Sequence, residues 1–154
     1  MRLTTRVRYG LRLLVQIAEE SEAGPVLARR LSEKQGISPA YVDQILIPLR
    51  KSGLIGSQRG RKGGYFLAKP AQAITVLDVL ETIDGSLNLV DCVAAPDTCS
   101  RSGFCGTRAV WQNLTEQVRR TLGRQTLSSL CATAKPTGLA AEFPPPAPGS
   151  LTGI

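Results

Sequence analysis

The sequence predicts a mainly α fold with a small β-hairpin, a winged helix-turn-helix extended by a long dimerisation helix. Three observations predict it. Three helically periodic segments fill residues 4–52, and the last two are separated by a turn at Gly36 and Ile37. Two short apolar runs follow, joined by the glycine-rich basic string QRGRKGG. Further on, Val110, Leu114, Val118 and Leu122 form an apolar stripe on a segment with little of its own domain left to cover.

In the first segment Val7, Leu11, Leu14, Val15 and Ala18 recur at helical spacing, and Thr4 or Thr5 can cap the free N–H groups at its start. The second helix spans about residues 26–35 and turns Leu27, Ala28 and Leu31 inward, with Gly36 as its left-handed stop. Ser38 then precedes Pro39, a capping hydroxyl before a residue whose missing N–H costs nothing in a first turn. This third helix runs to about Ser52. Val42, Ile45, Leu46 and Leu49 are its inner face, and Tyr41, Asp43, Gln44 and Lys51 its outer one. Pro48 removes a helical hydrogen bond and bends the last turn.

The hairpin pairs Leu54–Ser57 with Tyr65–Ala68 and carries Arg59, Arg61 and Lys62 at its tip. Thr75 opens the next helix with Asp78 three positions on, the acidic form of a capping box, and Gly85 closes it. Val76, Leu77, Val79, Leu80 and Ile83 give it a broad buried face. The long helix covers about Thr107 to Leu122, and Leu127 and Leu130 mark one more short turn. Its apolar seam either meets the same seam on a second copy, giving a symmetric homodimer, or folds back on the first helix. Beyond Ala134, KPTGLAAEFPPPAPGSLTGI has no periodicity and reads as a disordered tail. The divisions are residues 1–85 for the winged domain, 86–106 for a cysteine-rich loop, 107–134 for the dimerisation helix and final turn, and 135–154 for the tail.

The chain has 154 residues, room for one domain with an appendage. Its formal charge of +7 is segregated: residues 1–70 hold 13 Lys/Arg against 5 Asp/Glu, and the remainder 6 against 7. A polyanionic partner accounts for that excess, because cations that neutralise phosphates release condensed counterions. In a winged helix-turn-helix one helix enters the major groove, and arginines on the wing suit a narrow minor groove. Double-stranded DNA is the expected partner. Catalysis is not expected: Gly60, Gly63 and Gly64 lie in the hairpin and open no helix, so they form no nucleotide-phosphate loop. The amphipathic start carries no secretory pattern and no apolar run reaches membrane-span length, so a cytoplasmic protein without a membrane partner is expected.

Cys92, Cys99 and Cys105 fall within the fourteen residues CVAAPDTCSRSGFC. In a reducing compartment such thiols read as ligands or reactive groups rather than disulfides. Soft thiolates select zinc, copper(I) or iron-sulfur clusters. Three readings stay open: a structural zinc site, an iron-sulfur cluster, or free redox-active thiols. A rival to regulation is an iron-sulfur electron carrier whose basic half docks an acidic partner. Cys131 stands apart beside Leu130 and reads as a small buried apolar side chain.

MRLTTRVRYGLR, GISPAYVDQIL and RGRKGGYFLAKP together resemble the bacterial Rrf2 family of winged-helix regulators over about residues 1–131. The resemblance implies a homodimeric transcription factor on a pseudo-palindromic operator, often a repressor. It implies Ser38, Tyr41 and Gln44 in the major groove and Arg59 in the minor groove. The cysteine triplet is similar to that of cluster-binding members, which implies a 2Fe-2S or 4Fe-4S centre sensing iron-sulfur, redox or nitric oxide status. Such members complete coordination with a histidine three residues after the last cysteine or an aspartate near the N-terminus. Here those positions are Arg108 and Arg8, and the chain has no histidine. Asp91, Asp97, Ser100, Cys131 or an external molecule are left as the fourth ligand. A cluster-free repressor controlled by a protein partner or thiol oxidation is the nearer alternative.

Overall fold

Each helix boundary is set by local chemistry in the computed structural model, which describes residues 3–133; the expected disordered tail lies outside them. Helix α1 (Thr5–Glu20) begins where Thr4 Oγ1 accepts the Val7 N–H at 3.3 Å. The same hydroxyl donates to the Asp84 carboxylate, 2.7 Å away at the end of helix α4 (Val76–Asp84), so one side chain caps α1 and ties it to α4. Helix α1 buries Val7, Gly10, Leu13, Leu14 and Ile17, whereas Leu11, Val15 and Ala18, read from spacing as core, are half-buried. Helix α7 (Leu127–Thr133) also packs on α1. Gly10 lets α4 approach closely: a Cβ there would sit 2.3 Å from Ile83 Cδ1.

Helix α2 (Ala28–Gln35) starts later than its apolar pattern implies, and Leu27, expected inside, is half exposed at the cap. The cause is non-local. Val26 and Tyr65 exchange two backbone hydrogen bonds of 2.8 Å, which pull the segment before α2 into a bridge beside the hairpin. Helix α3 (Pro39–Lys51) buries all four expected inner residues, Val42, Ile45, Leu46 and Leu49. Strands β1 (Ile55–Gln58) and β2 (Gly64–Leu67) pair antiparallel from Ile55↔Leu67 to Gln58↔Gly64, one residue along from the expected runs. Gly64 is required twice, by its φ of +145° and because a Cβ would lie 2.5 Å from the Val26 carbonyl oxygen.

The capping box at α4 is complete: Thr75 Oγ1 accepts the Asp78 N–H at 3.1 Å, and Asp78 accepts the Thr75 N–H at 2.9 Å. After the short helix α5 (Asp91–Ala94) and a single 3₁₀ turn at Pro96–Thr98, helix α6 (Gly106–Arg124) runs along α4. Arg119 holds it there through a two-pronged ion pair with Glu81, whose carboxylate also accepts the Leu87 N–H at 3.1 Å. The chain then re-enters the domain. Val76 N–H donates to Gln125 and Leu127 N–H to Ile74, each at 2.8 Å, and Leu127 joins the hydrophobic core.

The expected stripe on α6 is divided. Val118 and Leu122 pack on the winged domain, while Val110, Trp111 and Leu114 are 55%, 40% and 39% exposed. No described helix is long and apolar enough to cross a membrane.

One ion-pair cluster locks α2 to α1. Glu20 accepts from Lys34 at 3.0 Å and from Arg30, and its carboxylate also meets Gln16. Burial works against the charge on Glu20, but hydrogen bonds and charge from Lys34 and Arg30 outweigh it and hold the carboxyl below its ordinary range. A folded-state value below the unfolded one stabilises the protein above the unfolded value and is lost as pH falls through the folded one. Glu20→Gln is therefore expected to cost up to about 1 kcal/mol at neutral pH, the scale of solvent-accessible pairs. That cost should shrink as pH falls and vanish once the wild-type carboxyl is protonated, which chemical melts across the acidic range would show.

Candidate nucleic-acid interface and cysteine site

The turn between α2 and α3 presents the start of α3 to solvent. Ser38 is exposed there, its Oγ accepting the Tyr41 N–H at 3.2 Å, so this hydroxyl is already engaged as the helix cap. Tyr41 is half-buried, its ring edge-on to Tyr9 with centroids 6.0 Å apart, and the Arg12 guanidinium lies 5.1 Å from the Tyr9 ring. Gln44 is exposed one turn further along. Arg59, Arg61 and Lys62 are exposed on the wing tip, and none pairs with a described acidic residue.

The wing is fixed to α3 rather than hanging from it. Tyr65 on β2 donates to Asp43 Oδ1 on α3 at 3.3 Å, and Arg50 Nη1 on α3 donates to Ser57 Oγ on β1 at 3.3 Å. Burial first, then the Asp43 carboxylate, pushes the Tyr65 phenol above its ordinary range, so it stays a neutral donor at working pH. Helix and wing thus form one cationic unit that can grip adjacent grooves of a duplex.

The three cysteines lie on one segment. Cys92 is in α5, Cys99 follows the 3₁₀ turn and Cys105 is the residue before α6; all are partly exposed free thiols. Cys105 Sγ lies 3.1 Å from Thr107 Oγ1. That contact first, then the Arg108 and Thr107 N–H groups opening α6, and then Arg101, hold its thiol below the ordinary cysteine range. Cys131, on α7, is pushed the other way by burial and by Glu19, as befits a packing residue.

As donors the three thiols fit an iron-sulfur centre, being soft, free and partly exposed. In the conformation described they are not assembled: among the described residues no group of three or more His, Cys, Asp or Glu side chains converges on a metal-sized site.

The Rrf2 family model, described as an iron-dependent transcriptional regulator, matches residues 3–133. The chain belongs to the Rrf2 family. It is 39% identical over 130 residues to the HTH-type transcriptional regulator IscR of Escherichia coli strain K12 / DH10B, covering 84% of this chain and 80% of that protein. Among solved structures it is similar to CymR (YrzC), the global cysteine regulator of B. subtilis, with 27% identity, a TM-score of 0.73, and coverage of 86% of this chain and 98% of that one. It is also similar to T. potens IscR, with 30% identity, a TM-score of 0.71, and coverage of 88% and 89%. The chain is accordingly an Rrf2 winged-helix transcriptional regulator, and these relatives are regulators rather than enzymes.

Several residues around this candidate interface escape a sequence reading. Tyr9, on α1 with the Arg12 guanidinium against its ring, meets Tyr41 from outside the helix-turn-helix, and Arg50, together with the Asp43 already placed on the outer face, ties helix to wing. Only the cationic bias of residues 1–70 could have drawn attention to Arg12 and Arg50. Arg59→Ala is expected to weaken operator binding by about 1–3 kcal/mol, the worth of one well-placed groove contact. A titration at fixed salt in which affinity is unchanged would remove Arg59 from the interface.

Proposed function

We propose that this Rrf2 regulator is a homodimeric repressor of a pseudo-palindromic operator, and that its affinity is set by an iron-sulfur cluster, 2Fe-2S or 4Fe-4S, held by Cys92, Cys99 and Cys105. Ser38, Tyr41 and Gln44 address the major groove, and Arg59, Arg61 and Lys62 follow the backbone into the minor groove. One observation carries the reading: Cys105 stands immediately before α6, whose next two turns expose Val110, Trp111 and Leu114. The last thiol of the segment and the apolar seam are therefore joined directly through α6.

Paired across a two-fold axis, two α6 seams would bury those side chains and place two copies of α3 against two half-sites. The cysteine segment lies between α4 and α6, so gathering its thiolates pulls on the start of α6. A shift of α6 is passed to α4 through Glu81 and Arg119, and α4 packs directly on α3. The cluster, when bound, supplies iron-thiolate bonds that break or change with iron supply, redox state or nitric oxide. Two-state coupling of this kind is typically worth about 1–3 kcal/mol.

Visible absorption of anaerobically purified protein tests the cofactor: iron-thiolate charge-transfer bands are expected. The unassembled thiols favour one other reading, a cluster-free regulator controlled by a protein partner or thiol oxidation. Colourless anaerobic protein that binds operator until its thiols are oxidised would establish that alternative.

A further inference from the structure

Arg108 lies in the first turn of α6, with its side chain folded back over the cysteine segment. Its Nε donates to the Cys92 carbonyl oxygen at 2.9 Å, sixteen residues earlier in the chain. Its own N–H lies 3.1 Å from the Cys105 carbonyl oxygen and also reaches the Cys105 sulfur. One residue thus touches the first and the last cysteine of the triplet. Every other hydrogen bond made by the described residues 92–105 spans four positions or fewer, as in Cys99 to Pro96 or Phe104 to Arg101. Among the hydrogen bonds of the described residues, the Arg108 contact is the one that closes the segment into a loop, across the packing of α5 on α6.

The chemistry of arginine suits this task. A guanidinium has five donors and no acceptor, so it cannot ligate a metal, and it stays protonated at any working pH.

We propose that Arg108 is the positioning residue of the cysteine site, clasping Cys92 to Cys105 so that much of the loop is closed before a thiophilic metal arrives. The proposal rests on the three-thiolate reading above. Loop closure made in advance lowers the ordering cost of binding, and the loss of a supporting residue of this kind typically weakens metal retention about 10- to 100-fold.

The test uses the full chain, loaded anaerobically with ferrous iron and sulfide, and follows the decay of the visible bands in excess chelator. Arg108→Ala should release iron about 10- to 100-fold faster than wild type. Arg108→Gln, which keeps a donor but not the charge, should lie between them. In the metal-free protein Arg108→Ala should also speed iodoacetamide labelling of Cys92, while helix content and melting temperature stay at wild-type values. That labelling change is a readout that a purely global loss of stability would not give. If Arg108→Ala and Arg108→Gln retain iron as wild type does, while the single cysteine variants lose it, the clasp is wrong and the thiolate site stands. If wild type takes up no iron, or the cysteine variants load like wild type, the thiolate reading fails and takes this proposal with it.

Discussion

Replacing any one of Cys92, Cys99 or Cys105 with alanine is expected to abolish the visible chromophore of anaerobically loaded protein, while Cys131→Ser keeps it. Each triplet position supplies a soft thiolate that its neighbours, mostly small, hydroxyl or acidic residues, cannot match. Cys131 differs in place and character. It lies on α7 against the winged domain, and burial raises its thiol above the ordinary range. The fold should survive loss of the chromophore. Its core of Leu13, Leu14, Ile17, Leu31, Ile45 and Leu49 is complete without the cysteine segment, so circular dichroism of the apo form should match that of the loaded protein. Iron and sulfide analysis of the four variants decides the assignment, and alanine variants of all three positions that retain both elements would falsify it.

Leu114→Asp should convert a dimer into a folded monomer. Leu114 lies with Val110 and Trp111 on the exposed face of α6, away from the half that Val118, Leu122 and the Arg119–Glu81 pair hold against the winged domain. An aspartate there would be harmless in a monomer but would bury an unpaired charge in a two-fold seam. Losing the second half-site removes the avidity of a linked pair, so operator affinity should fall by about 10²- to 10⁴-fold. Sedimentation of wild type and variant at micromolar concentration checks the first step. A wild-type protein that sediments as a folded monomer contradicts the seam.

Where the sequence spoke clearly, a local cause was enough. Ser38 before Pro39 and the spacing of Val42, Ile45, Leu46 and Leu49 place α3 and its inner face without help from the rest of the chain, and Thr75 with Asp78 does the same for α4. The misread positions trace to partners distant in sequence. Leu27 is pushed outward by the bridge between Val26 and Tyr65, and α1 packs against a helix more than a hundred residues later. The stripe on α6 hides a division, because periodicity reports an apolar face and says nothing of which part its own domain covers. At the site, the cysteine spacing and the cationic wing tip were visible as composition. The contact of Arg108 with Cys92 and that of Tyr65 with Asp43 join residues sixteen and twenty-two positions apart, and no periodic signal records such pairs.

Coupling of a thiolate-held centre to DNA affinity is the core of the proposed function. Its most direct test is to measure the binding of a single preparation to an operator selected from random duplex DNA, first loaded with iron and sulfide and then stripped by chelation under argon. Affinity should differ between the two states by about 5- to 150-fold, reloading should restore it, and the Cys99→Ala variant should show no such difference. Equal affinity of the loaded and stripped protein, at the same salt concentration, would contradict it.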